Sequence, residues 1–112
     1  MKRTILTYGG YFERFIATME LTEKRKVDYL LSLLESTERL PVKFIKHIRD
    51  GLYELRIGVE GNIYRVFFIF DEGNVVILFN GFKKKSQKTP KDEIKKALRI
   101  KAEYYADKRS QN

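Results

Sequence analysis

Apolar positions change period twice along this chain. Ile5 and Leu6, inside residues 2–8, are compatible with a short strand. Phe12, Phe15, Ile16 and Met19 then recur at helical spacing, which predicts a helix over residues 11–20. Thr22 can cap a second helix in which Val27, Leu30, Leu31 and Leu34 fall at i, i+3, i+4 and i+7. Together these predict a helical hairpin whose apolar stripes face a sheet. Glu38 to Pro41 interrupts the pattern, and Phe44, Ile45 and Ile48 fit a short turn or helix.

From Gly51 onward the period is two. Tyr53, Leu55 and Ile57 alternate with Glu54 and Arg56, the pattern of a half-buried strand. Gly58 to Asn62 reads as a hairpin loop. Ile63 to Phe70 is nearly continuous in β-branched and aromatic residues, as expected of a central strand covered on both faces. Asp71 to Asn74 forms a second turn, and Val75 to Phe79 supplies the next strand. Thr89 as N-cap, Pro90 at the first position and Asp92 in the first turn open a final helix. Ile94, Ala97, Leu98 and Tyr105 can form its apolar face. The expected fold is α+β: an antiparallel four-stranded sheet, with an N-terminal helical hairpin and a C-terminal helix on one side. A sheet without the N-terminal strand is the alternative.

Composition narrows the chemistry. The 112 residues suit one domain spanning 1–112 and a core that needs no staples. Hydrophobic residues at 43% exclude a disordered tail. With no Cys and one His, disulfides, thiol nucleophiles and Cys-containing zinc sites are excluded. No run matches a signal peptide's apolar stretch or a membrane span, so a cytoplasmic, soluble protein without membrane association is expected.

The net charge of +8 is unevenly placed. Residues 1–82 hold 12 basic and 11 acidic groups, whereas residues 83–112 hold 11 and 4. Positive charge concentrated beside a neutral body favours a polyanion or an acidic protein, unless it is simply a solvated face. The run from Phe79 to Pro90 contains Lys83, Lys84, Lys85 and Lys88 and leads into a helix N-terminus, an arrangement that suits phosphate. Phe82 could stack a base there, but fits the core better.

Arg65 is the sole charge inside the central strand, so it must reach solvent, an anion or an acid such as Glu54. Arg56 fits an exposed cross-strand position. Two strand arginines beside a lysine-rich loop could converge on one phosphate, which the planar guanidinium fork suits. Asp71 with Glu72 and Asp92 with Glu93 are explained by their turn and helix-start positions, so no metal site is expected. His47 reads as a surface residue. No phosphate-binding loop, dinucleotide fingerprint or nucleophile elbow is present.

Three segments in order carry a resemblance: Gly51-Leu52-Tyr53-Glu54-Leu55-Arg56, Tyr64-Arg65-Val66-Phe67-Phe68, and Asn80-Gly81-Phe82 with Lys84-Lys85 and Gln87-Lys88-Thr89-Pro90. The chain resembles the HigB-like, phage-associated branch of the RelE/ParE toxin superfamily. The element order agrees over about residues 1–107, with the specific motifs inside 51–90.

The resemblance implies a RelE-like fold and the toxin of a type II toxin–antitoxin system. It implies a metal-independent endoribonuclease without cofactor that cuts mRNA on the ribosome and inhibits translation. A cognate antitoxin protein would then be its partner in a hetero-oligomer. Carried over, Arg56 and Arg65 would face the scissile phosphate. Lys84 and Lys88 would stabilise charge in the reaction, and Lys83, Lys85 and Lys91 would bind RNA. Many relatives carry histidine where this chain has Asn80. A C-terminal catalytic tyrosine has no match, because Tyr104 and Tyr105 fit helix packing, and the general base is left without an assignment. A gyrase-directed toxin of the ParE kind, or a basic nucleic-acid-binding module without catalysis, are the alternative functions.

Overall fold

The computed structural model describes residues 2–85 and 89–111. Its elements run β1 (Thr4–Thr7), α1 (Tyr11–Ile16), α2 (Leu21–Ser36), β2 (Ile45–Arg49), β3 (Leu52–Val59), β4 (Asn62–Asp71), β5 (Val75–Lys83) and α3 (Lys91–Ser110). The strands form one five-stranded sheet in the order β1-β5-β4-β3-β2. The α+β class agrees with the sequence. The expected four antiparallel strands do not: there are five, and β1 runs parallel to β5.

The additional strand is β2, where a turn or helix was expected. Ile45 packs with α1 and α2, whereas Ile48 packs on the side of α3. In a strand, an odd spacing sends two side chains to opposite faces, so Ile45 and Ile48 join different clusters and leave no alternating pattern to mark β2. Arg49 pairs with Leu52 across Asp50 and Gly51, both at positive φ (51° and 75°). This two-residue hairpin turn matches the strand twist. The expected loop over residues 58–62 likewise contracts to Glu60 and Gly61, with Gly58 and Val59 remaining in β3.

The helices cover both faces of the sheet rather than one. Leu55, Ile57, Val66, Phe68, Val76 and Leu78 pack with Phe15, Val27, Leu30 and Leu34. On the opposite face Leu52, Phe67, Ile69, Ile77 and Phe79 pack with Ala97 and Ile100 of α3. β4 is therefore apolar on both sides, as its composition requires. α1 ends at Ile16, shorter than expected, and packs mainly on β5 while α2 packs on β3. The expected hairpin is thus two helices meeting the sheet separately.

Local caps also differ from expectation. Glu20 rather than Thr22 caps α2, in a reciprocal capping box with Glu23. Its C-terminal end is held from β1's side: Arg3 donates to the carbonyls of Leu34 at 2.8 Å and Thr37 at 2.7 Å. A cation there satisfies exposed carbonyls and opposes the helix dipole. Pro90, not Thr89, occupies the N-cap position of α3. At the far end of α3, Tyr104 donates to Asp71 at 2.6 Å and packs edge-on against Tyr8. Tyr104 is a packing residue, as its position implied. No described helix is long and apolar enough to cross a membrane.

Candidate phosphate-binding cleft

Strand alternation places Glu54 and Arg56 of β3, and Arg65 of β4, on the sheet face that carries α3. Arg56 and Arg65 are direct cross-strand partners. Two like charges in that relationship repel, and Glu54 resolves the conflict. Its Oε1 lies 3.6 Å from Arg56 Nε and 3.3 Å from Arg65 Nε. Thr89 donates its hydroxyl to the other carboxylate oxygen at 2.8 Å. The threonine expected to cap α3 thus ties the start of that helix to the ion cluster.

The two arginines are unequal. Side-chain exposure is 10% for Arg65 and 42% for Arg56, against 2% for Glu54. Among the described residues neither Nε has a hydrogen-bond partner, and that of Arg56 lies beyond hydrogen-bonding distance of Glu54, although both are within ion-pair distance. Arg65 also donates through Nη1 to the Tyr64 carbonyl at 3.0 Å. Burial lowers the proton affinity of its guanidinium; Glu54 opposes that effect and Arg56 reinforces it.

Lys84 follows the end of β5, where its backbone N–H reaches the Ile63 carbonyl at 2.7 Å. Its side chain enters a cleft of about 340 Å³ lined by Lys46, Ile48, Glu54, Arg56, Lys84, Thr89 and Ile94. Among the described residues this lining holds three cations and one carboxylate, an excess of two positive charges. Burial, then the charge of Arg65, hold the Lys84 ammonium below the ordinary lysine range, while Glu54 acts in the opposite direction. The arrangement fits a phosphodiester: charged donors from three strands converge on one concave surface.

A β-bulge shapes the wall. Val66 pairs with Gly81 and Phe68 with Leu78, so Phe79 and Asn80 together oppose Phe67. Asn80 is thereby turned toward α3, where its Nδ2 donates to Glu93 at 3.3 Å, and its Oδ1 is buried without a hydrogen-bond partner. Gly81 is required by packing: a Cβ there would lie 2.5 Å from a ring carbon of Phe15. Phe82 stacks on Phe67 at 5.7 Å, a core contact rather than a free base platform.

The expected site residues are therefore only partly united. Arg56 and Lys84 line the cleft, and Arg65 lies behind Glu54. Lys83 faces the opposite side of the sheet, where its charge helps hold the Glu23 carboxyl below its ordinary range, after the larger effects of hydrogen bonds from Tyr64 and the Glu20 backbone. Lys85 is exposed just beyond β5, and Lys91 borders a neighbouring groove on α3. Lys88 lies outside the described residues. One contributor was missed, Lys46, on the strand that was not recognised; Glu54, expected as an ion partner of Arg65, pairs with it and with Arg56 as well. His47 is exposed beside Tyr53, away from the cleft lining. Among the described residues no cluster of His, Cys, Asp or Glu could hold a metal ion.

No curated protein matches the chain. Residues 14–102, however, match the family described as Phage derived protein Gp49-like (DUF891). That span includes α2, every strand from β2 to β5 and the whole cleft. The chain belongs to this Gp49-like family, and through it to the RelE/ParE-like toxins of toxin–antitoxin systems.

Proposed function

We infer that the cleft binds the scissile phosphate of RNA, and that this toxin is a ribosome-dependent mRNA endoribonuclease of the HigB-like kind. The supporting observation is the convergence of Lys46, Arg56 and Lys84 on one cleft whose carboxylate, Glu54, is already engaged by two arginines and Thr89. Gp49-like toxins are generally RNases, which agrees with this reading.

In this mechanism the ribose 2′-hydroxyl gives its proton to solvent water as its oxygen attacks the adjacent phosphorus, and the bond to the 5′-oxygen breaks. The products are a 2′,3′-cyclic phosphate and a 5′-hydroxyl. Arg56 and Lys46 stabilise the charge that accumulates on the phosphorane oxygens, and Arg65 with Glu54 fixes the Arg56 guanidinium. Lys84 gives its proton to the departing 5′-oxygen. Burial, and then the charge of Arg65, weaken its hold on a proton and favour that transfer. The catalytic charge is carried by side chains and requires no cofactor. A cognate antitoxin restrains the activity in the cell, and translating ribosomes present the mRNA.

Primer extension on mRNA after induced expression tests the reading. Wild-type protein cuts translated messages; Arg56→Gln and Lys84→Met each lose about a hundredfold or more in rate, the size expected for removal of one transition-state donor. Full cleavage by both variants would overturn the cleft assignment. Intact messages accompanied by gyrase-linked DNA breaks would replace the RNase with a ParE-like activity.

A further inference from the structure

Ile94 is shared by two depressions. On one side it walls the phosphate cleft; on the other it borders a groove of about 320 Å³ with Arg49, Lys91, Lys95 and Leu98. Lys91, Ile94, Lys95 and Leu98 fall at i, i+3, i+4 and i+7 of α3, so they form one stripe of that helix. Arg49 comes from β2, the edge strand, and no further described strand closes the groove on that side. The three cations are exposed and the two apolar residues half-buried. Among the described residues no acid lines the groove. The nearest sequence neighbours are Asp50, paired with Arg49 at 2.9 Å in an exposed and weakly held contact, and Asp92 with Glu93 in the first turn of α3.

We propose that this groove carries the single-stranded RNA adjoining the scissile phosphate. Lys91, Lys95 and Arg49 meet successive phosphates, while Ile94 and Leu98 contact the faces of a base or ribose. The two lysines are one helical turn apart, about 5–6 Å between Cβ atoms, so each can serve a separate phosphate. The proposal rests on the reading of the cleft as a phosphate site and extends it. A strand with one phosphate in the cleft must continue along its rim, and the wall at Ile94 leads directly into a second surface of matching charge.

Fluorescence anisotropy with 2′-O-methyl oligoribonucleotides, which cannot be cleaved, separates the possibilities. The Lys91→Gln/Lys95→Gln variant is expected to bind an octanucleotide about tenfold more weakly at low salt, with trinucleotide binding unchanged. Loss of two phosphate contacts should flatten the salt dependence of log K by about 1.4, at about 0.7 per contact for single strands. Arg56→Gln should weaken both lengths. If Arg56→Gln weakens both but the lysine variant weakens neither, the groove is overturned and the cleft stands. If Arg56→Gln weakens neither, the cleft falls, and its extension falls with it. Unchanged RNA affinity with lost binding of a polyglutamate peptide would assign the groove to a protein partner and overturn the proposal.

Discussion

Arg65 Nε lies 3.3 Å from Glu54 Oε1, and this buried pair separates the two arginines that face one another across β3 and β4. The arrangement makes Glu54 a positioning residue: it holds the cluster together beneath the cleft. Replacing it leaves Arg65 buried without its counter-charge. Glu54→Ala should cost about 3 kcal/mol, the lower end for a broken buried pair. Adding Arg65→Met should recover much of that loss, since an apolar side chain removes the stranded charge. Urea unfolding of the two variants checks both statements.

Arg56 and Arg65 should separate in stability as well as activity. Arg56 is half exposed, so Arg56→Gln should alter unfolding free energy by about 0.5 kcal/mol or less, while cleavage falls steeply. Arg65→Ala should be destabilising, because it removes the more buried of the two counter-charges of Glu54 and leaves a void in the sheet. Loss of cleavage in Arg65→Ala is therefore informative only beside a melting curve. Equal stability losses in the two variants would contradict this division.

Acid should unfold the protein through carboxylates outside the cleft. Burial alone would raise the Asp71 carboxyl, but hydrogen bonds from Lys108 at 2.8 Å and Tyr104 at 2.6 Å outweigh it and hold the group below its ordinary value. A depressed carboxyl contributes stability above its unfolded pKa and loses it as pH falls through the folded one. Stability should thus decline below about pH 4. Tyr104 is pushed up to about 12 by burial and Asp71, so its contribution is present below pH 10 and lost as pH rises through about 12. Tyr104→Phe should reduce the alkaline loss, measured by thermal unfolding across pH.

Gly81→Ala tests the packing beneath the bulge. The added methyl collides with Phe15, so the β5–α1 contact must shift, at about 1–3 kcal/mol for overpacking. Phe15→Leu in the same chain should relieve part of that cost. A fully stable Gly81→Ala variant would show that the wall carrying Asn80 adapts freely.

Much of the fold was legible because period and composition act locally. Val27, Leu30, Leu31 and Leu34 require a helix with one apolar stripe, and the run through β4 requires a strand covered on both sides. The charge imbalance between residues 1–82 and 83–112, and Arg65 as an isolated charge in an apolar strand, also needed no coordinates. The Asp50-Gly51 dipeptide was an unused signal: its positive φ pair marks a hairpin and hence β2.

What only the tertiary structure decided is which charges share a surface. Strand pairing set Arg56 opposite Arg65 and brought Glu54 between them, while the bulge at Asn80 altered the facing of β5. Lys83 and Lys84, adjacent in sequence, serve opposite sides of the sheet by strand alternation, and the bulge sets which of them meets the cleft. Lys46 joins the cleft from a strand separated from Lys84 by three hairpin turns. Local sequence fixes periodicity and net charge; long-range pairing fixes facing, and facing determines which cations a phosphate can meet.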